Sequence, residues 1–248
     1  LELAGKFVRL PLPKELSWRE KLMKKFGLLV FIFALSIGLV FSTNCGFSRS
    51  FNNFGGIQGS GTSKTETRNV IGFTKIDASN AVNVEVAVGG SFAVEVQADD
   101  NLLANIKTEV SGDTLKIYSE DRISSKTRIN VKISMPTIEG LEISGASSAN
   151  VAGVKANSLE LKASGASKIK IDGEAKTLEA DASGASSIDA EKLKVEDADV
   201  EASGASNATV SAVNDLDLNA SGASKISYLG EPKNIKQDSS GASSIKQK

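Results

Sequence analysis

Cys45 is the one residue whose position marks it for covalent chemistry. It follows a positive Met23-Lys24-Lys25 start, an uncharged apolar run from Phe26 to Phe41, and the small polar residues Ser42, Thr43 and Asn44. That order is the three-part layout of a secretory leader, so residues 23–45 are read as a signal peptide. A cysteine at its end sits where a lipoprotein carries its diacylglyceryl group. Ser42-Thr43-Asn44 lacks the Leu three residues before the cysteine and the Gly, Ala or Ser just before it that lipidation favours. Cleavage after Ser42 with an unmodified thiol therefore stays open. So does an uncleaved anchor, although the apolar run falls short of the roughly 20 residues that span a bilayer.

Other chemistry is narrowed by what the chain lacks. It has no histidine and one cysteine. A Ser-His-Asp or Cys-His site is thus impossible, and so are a His-containing zinc site and an intramolecular disulfide. Carboxylate or lysine chemistry needs a cluster in a groove. The outward charges, such as Lys168, Lys170, Asp189 and Asp199, instead alternate as on a solvated strand. The expectation is no enzyme, no cofactor and no metal. Residues 1–45 hold 7 Lys/Arg and 3 Asp/Glu, leaving 22 against 27 for the rest, a formal −5. That balance fits neither nucleic acid nor an anionic lipid surface. Membrane attachment is expected only through the leader or a lipid.

The elements that position these charges are set by a repeat. Ser-Gly-Ala-Ser occurs at 144–147, 164–167, 183–186, 203–206, 221–224 and 240–243, at spacings of 20, 19, 20, 18 and 19 residues. Apolar and polar residues alternate on both sides, as in Leu159-Glu160-Leu161-Lys162-Ala163 before one copy and Lys168-Ile169-Lys170-Ile171 after it. Period two means strand, with one face inside. A pair of short strands cannot bury that face alone, so successive units must stack as coils of a solenoid. Leu159, Leu161, Ile169 and Ile171 are expected to point inward. Aromatics make up only 5% of the chain, which suits thin layers filled by aliphatic side chains.

At the corners, Gly145, Gly165, Gly184, Gly204, Gly222 and Gly241 are the expected structural residues, since glycine takes a left-handed turn without steric cost. Ala is expected to point into the corner. The Ser hydroxyls are expected to satisfy corner backbone groups or to bond the same Ser one coil away. A ligand-binding row of Ser is the sharper alternative, and stacking is favoured over it.

Residues 70–139 read as unrepeated strands around Phe73–Ile76, Asn83–Val88, Phe92–Val96, Thr114–Tyr118 and Arg128–Ile133. Gly89-Gly90 signals a hairpin. Asn101–Val110 is left as a short helix or a strand. The segment caps the SGAS-repeat solenoid of residues 140–248, either as wider coils or as an antiparallel sheet. The Gly/Ser/Thr/Asn-rich stretch 46–69 reads as a flexible linker, and residues 1–22 as a non-native extension before the true start at Met23. The final strand, Ser244–Lys248, leaves an edge through which copies could associate, discouraged by Lys246 and Lys248.

Gly72-Phe73-Thr74-Lys75-Ile76, Asp99-Asp100-Asn101-Leu102-Leu103, Leu115-Lys116-Ile117 and the Ser-Gly-Ala-Ser series together resemble the head GIN domain of putative auto-transporter adhesins, over about residues 68–248. The resemblance implies an all-β, right-handed parallel β-helix with coils of about 18–20 residues and a β-rich cap. It also implies a Gram-negative envelope protein at the outer membrane, the cell surface or in the periplasm. It supplies no catalytic or ligand residues. The function it implies is a non-enzymatic adhesin-type binding head, with a glycan or protein on a cell surface or matrix as partner. A structural solenoid without a specific ligand and a polysaccharide-active β-helix are the alternatives.

Overall fold

The structure, a computed structural model, describes residues 56–248. The extension at 1–22, the leader at 23–45, Cys45 and the start of the linker lie outside the described residues. Strands β1 (Ile57–Gln58), β2 (Ser63–Arg68), β3 (Lys75–Ala78), β4 (Asn83–Val88), β5 (Ala93–Asp99), β6 (Ile106–Ser111), β7 (Thr114–Ser119), β8 (Ile123–Ser124) and β9 (Asn130–Met135) precede the repeats. The repeats supply β10 (Gly140–Ile143), β11 (Ser148–Ala163), β12 (Lys168–Ala182), β13 (Ser187–Ala202), β14 (Asn207–Ala212), β15 (Asp215–Ala220), β16 (Lys225–Leu229), β17 (Asn234–Ser239) and β18 (Ser244–Gln247).

Each Ser-Gly-Ala-Ser joins a strand of one sheet face to a strand of another. The entry face, which runs into the corners, stacks β6, β7, β3, β10, the second halves of β11, β12 and β13, then β15 and β17. The exit face stacks β2, β5, β9, β4, the first halves of β11, β12 and β13, then β14, β16 and β18. From β7 and β9 onward, every pairing on both faces is parallel. Nine rungs on the entry face at about 4.8 Å each give an axis of roughly 40 Å.

The alternation explains the core. Leu159, Leu178, Ala198 and Leu216 stack in one buried column, and Ile169, Ile188, Ala208 and Ile226 in another. Large and small residues share a column, so neighbouring layers interdigitate. Burying each Leu or Ile contributes roughly 1.5–3 kcal/mol. In the last coil Ile235 and Ile245 continue the apolar columns, but two inward positions become polar. Gln237 lies beside Leu218 and Gln247 beside Tyr228. Gln237 donates to the Tyr228 hydroxyl at 3.4 Å and Gln247 to the Gly230 carbonyl at 2.8 Å.

The segment before the repeats is both coil and cap. β3 and β4 form a coil beneath β10 and β11, and β7 with β9 form the coil below that. The chain thus builds the β3–β4 coil, moves out to the β7–β9 coil, and returns to the other side. β5 and β6 close the end antiparallel to β9 and β7. Residues 101–105 are turns and β6 is a strand, so no helix forms there. Gly89-Gly90 makes no hairpin, because both edges of β4 are taken by β9 and β11. The turn, with Gly89 at φ 104°, instead carries the chain past β9 to β5.

The linker expectation also needs correction over its second half. β2 pairs antiparallel with β5 from Ser63↔Asp99 to Arg68↔Val94, and β1 pairs with β8. The polar composition of β2, SKTETR, is that of an exposed edge strand rather than of a linker.

Candidate binding surfaces

Each corner from Ser164–Ser167 onward is built by three backbone bonds to the coil before it. At Ser183–Ser186, the Ser183 amide donates to the Ala163 carbonyl, Ala185 to Gly165 and Ser187 to Ser167, at 2.9, 2.7 and 2.9 Å. The corner glycines all hold φ of 73–74°. A Cβ on Gly184 would sit 2.7 Å from the Gly165 oxygen, so the position is closed by both conformation and space.

The inward residue of the corner is the second serine, not the alanine. Ser147, Ser167, Ser186, Ser206 and Ser224 are buried, whereas the alanines before them are exposed. The left-handed glycine shifts the alternation by one position and turns Ala out. The buried hydroxyl then donates to the carbonyl just before the previous coil's corner. Ser167 reaches Ile143, Ser186 reaches Ala163 and Ser206 reaches Ala182, each at 3.0 Å. The serines bond backbone, not one another, and this ladder is structural.

Two features escaped the sequence reading. Asn80 and Ala81 take φ of 70° and 64° and form a corner at the equivalent place, with two left-handed residues where each Ser-Gly-Ala-Ser corner has one. The Ser144 amide donates to Ala78, and the Val82 amide to the Ser147 hydroxyl. Asn is the non-glycine residue that most readily accepts such a turn, and Ala78-Ser79-Asn80-Ala81 is the signal that could have revealed it. The second is Asp99, fully buried where β5 ends. Its carboxylate accepts from the Ser125 hydroxyl at 2.7 Å and from the amides of Lys126, Thr127 and Gly61 at 2.8, 3.3 and 2.8 Å. The Ser125 hydroxyl, then the backbone donors, outweigh burial and hold its pKa at about 2. Asp99 therefore fastens the β1–β2 strap to the loop before β9. Gly59 permits this approach, since a Cβ there would lie 2.2 Å from the carboxylate.

The solvent side is sorted by charge. On the entry face Glu160, Glu179, Asp199 and Asp217 occupy successive rungs, ending at Lys236. The next column runs Glu142, Lys162, Asp181, Glu201, Asn219, Asp238, and Asp197 and Asp215 lie outside the first. Like charges opposite one another cost stability. Nearer the cap the same sheet alternates, as Glu109, Lys116 and Asp77 do. The two lysines on the acidic stretch answer to it. The ammonium of Lys162 is stabilised by Glu160, and that of Lys236 by Asp217 at 2.6 Å, raising both pKa values. On the exit face from β12 onward the charges nearest the corners are Lys168, Lys170, Lys225 and Lys246, with one half-buried carboxylate, Asp189, opposite Lys170, set among Ser187, Asn207 and Thr209. Nearer the cap that face has a shallow trough of about 600 Å³, with Ala87, Ala93, Ala152 and Ser134 between Glu85, Glu95 and Lys132.

Among the described residues no group of three or more Cys, Asp or Glu is arranged to hold a metal ion. The described aromatics are four, and none forms a platform. Phe73 is buried against Phe92 with ring centroids 4.9 Å apart, Tyr228 is buried, and Tyr118 bonds Glu109.

The fold and its surfaces define a capped parallel β-solenoid with an acidic entry face and a mainly lysine-bearing exit face. Residues 72–232 match the family described as putative auto-transporter adhesin, head GIN domain, and the chain belongs to that family. It is accordingly a non-enzymatic, adhesin-type domain of the cell envelope. Among curated proteins none matches the sequence. Solved structures of similar fold include a putative adhesin from Bacteroides fragilis NCTC 9343, 21% identical with a TM-score of 0.64, over 77% of this chain and 99% of that one. Two from Parabacteroides distasonis ATCC 8503 are each 19% identical over 77% of this chain. One is a putative adhesin (TM-score 0.52, 99% of its chain) and one a putative lipid binding protein (0.51, 98%).

Proposed function

We propose that the chain is a tethered binding module that holds a protein partner on the sides of its solenoid. The tether is the stretch that precedes residue 56, anchored through the leader or through lipid on Cys45. The observation that carries the choice of partner is the surface itself. The described faces offer ladders of charge and hydroxyl over tens of ångströms, with no aromatic platform, and the trough of about 600 Å³ near the cap is open to solvent. Small ligands, free sugars included, call for concave, largely apolar sites with convergent polar groups. Extended charged faces suit another macromolecular surface, where electrostatic complementarity selects the partner and speeds encounter. Pairing through the β17–β18 edge is the weaker route, because Lys246, Gln237 and Gln247 blunt that edge.

The test is binding of the full chain to an array of matrix proteins and glycans, with soluble competitor. Saturable, competed and salt-sensitive binding to a protein supports the reading. Binding confined to glycans, or none by folded protein, contradicts it.

A further inference from the structure

The acidic entry face and the lysine-bearing exit face belong to one molecule, are separated by the row of Ser-Gly-Ala-Ser corners, and share one axial repeat. We propose that they are the two halves of a lateral interface between copies of this chain, the entry face of one copy docking on the exit face of the next. This is distinct from the foreign partner proposed above and does not depend on it.

Three observations carry the inference. The first is charge complementarity. Glu179, Asp199 and Glu201 are exposed on the entry face, and Lys168, Lys170 and Lys225 are exposed on the exit face. The second is the repeat. Rungs on both faces follow the strand spacing of about 4.8 Å. Lys168 with Lys170 on one rung and Lys225 three rungs on match the span from Glu160 to Asp217 on the entry face. A second copy in register therefore meets carboxylates with ammonium groups at both ends of that stretch. An unrelated surface has no such period. The third is the cost carried without a partner. Glu179 stands directly opposite Asp199, and Asp181 opposite Glu201, an arrangement that destabilises an isolated sheet. On the exit face nearer the cap it is avoided by alternating Glu95, Lys132 and Glu85. The small polar Ser187, Asn207 and Thr209 between the exit-face lysines let another sheet approach closely, with the half-buried Asp189 held opposite Lys170 of its own chain. Because two different faces meet, the contact is heterologous and continues from copy to copy rather than closing as a dimer. On a membrane it would line solenoids side by side and multiply weak contacts to a foreign surface.

The test uses the full chain in detergent, mixed from isotopically light and heavy preparations, with a carbodiimide that joins carboxylate to amine without a spacer. At 50 mM salt the expected products extend past the dimer. Light–heavy linked peptides should pair Lys168, Lys170 or Lys225 with Glu179, Asp199 or Glu201, and 0.5 M salt should reduce them about tenfold, as its shorter Debye length demands. The exposed-site variants E179Q/D199N/E201Q and K168Q/K170Q/K225Q should each stop growth. Each keeps one intact face, so their equimolar mixture should give dimers and nothing longer. Circular dichroism confirms that both remain folded. Monomer throughout, growth that survives either variant, or growth indifferent to salt, as edge pairing or micelle sharing would produce, overturns the proposal.

Discussion

Gly184→Ala is the sharpest perturbation of the corner, because two separate costs meet there. The first is conformational. At φ 74° a side chain is left-handed, which costs roughly 1–2 kcal/mol. The second is spatial. The new Cβ falls 2.7 Å from the Gly165 oxygen and 3.2 Å from its nitrogen. That oxygen already accepts the Ala185 amide at 2.7 Å, so the layers must part or the corner must twist, at roughly 1–3 kcal/mol by the usual cost of overpacking. The sum is about 2–5 kcal/mol. Gly112 supplies the control. Its φ is 65° and a Cβ there meets nothing within 4 Å, so Gly112→Ala carries only the first cost, about 1–2 kcal/mol. Urea unfolding followed by circular dichroism and by intrinsic fluorescence measures both variants. Two probes are needed because solenoids can unfold layer by layer. Gly184→Ala should lose clearly more than Gly112→Ala. Equal losses would refute the claim that corner backbones stack in contact.

Three further outcomes follow from the same geometry. Ser186→Ala removes a buried hydroxyl from the Ala163 carbonyl and should cost about 1 kcal/mol in urea unfolding, whereas Ser183→Ala, on the open side of the corner, should cost little; the reverse order would contradict the inward assignment. For Asp99 the folded pKa of about 2 lies below its ordinary 3.8. The unfolded chain therefore binds more protons in between, and the stability Asp99 supplies is full above about pH 4 and lost as pH falls towards 2. The protection factors of the β2 amides, corrected for the intrinsic pH dependence of exchange, should fall across that window in the wild type. In Asp99→Asn they should be low already at pH 7 and flatter with pH, and an unchanged profile would show that Asp99 does not fasten the strap. Gly59→Ala, which places a Cβ against the same carboxylate, should loosen β2 and leave the coils from β12 onward protected, read by the same exchange map.

The coils were legible because a strict period leaves few ways to bury one face of each strand. Leu159, Leu161, Ile169 and Ile171 point inward as their alternation requires. The corner was legible only in part. Alternation carries no information through a left-handed glycine, so Ala166 was assigned the inward place that Ser167 holds. Upstream, the order of coils is hidden because β3 and β4 acquire their neighbours from residues 114–135 on one side and 140–152 on the other. No local signal distinguishes that insertion from the hairpin which Gly89-Gly90 suggests. The linker reading failed at β2 because an edge strand exposed to water is as polar as a tether. The charge-sorted faces were visible in principle. Aligning the repeats on Ser-Gly-Ala-Ser places mostly acidic residues before the corner and lysine or neutral residues, Asp189 apart, after it, whereas reading each strand alone shows only alternation.

The most direct test of the account is adhesion itself. Cells displaying the full chain, and cells lacking it, are laid on matrix-protein surfaces under flow, with purified chain as competitor. The account predicts adhesion that requires the chain, is blocked by the competitor and falls with rising salt. Equal adhesion by both kinds of cell on every protein surface, with the chain shown to be folded and displayed, would contradict it.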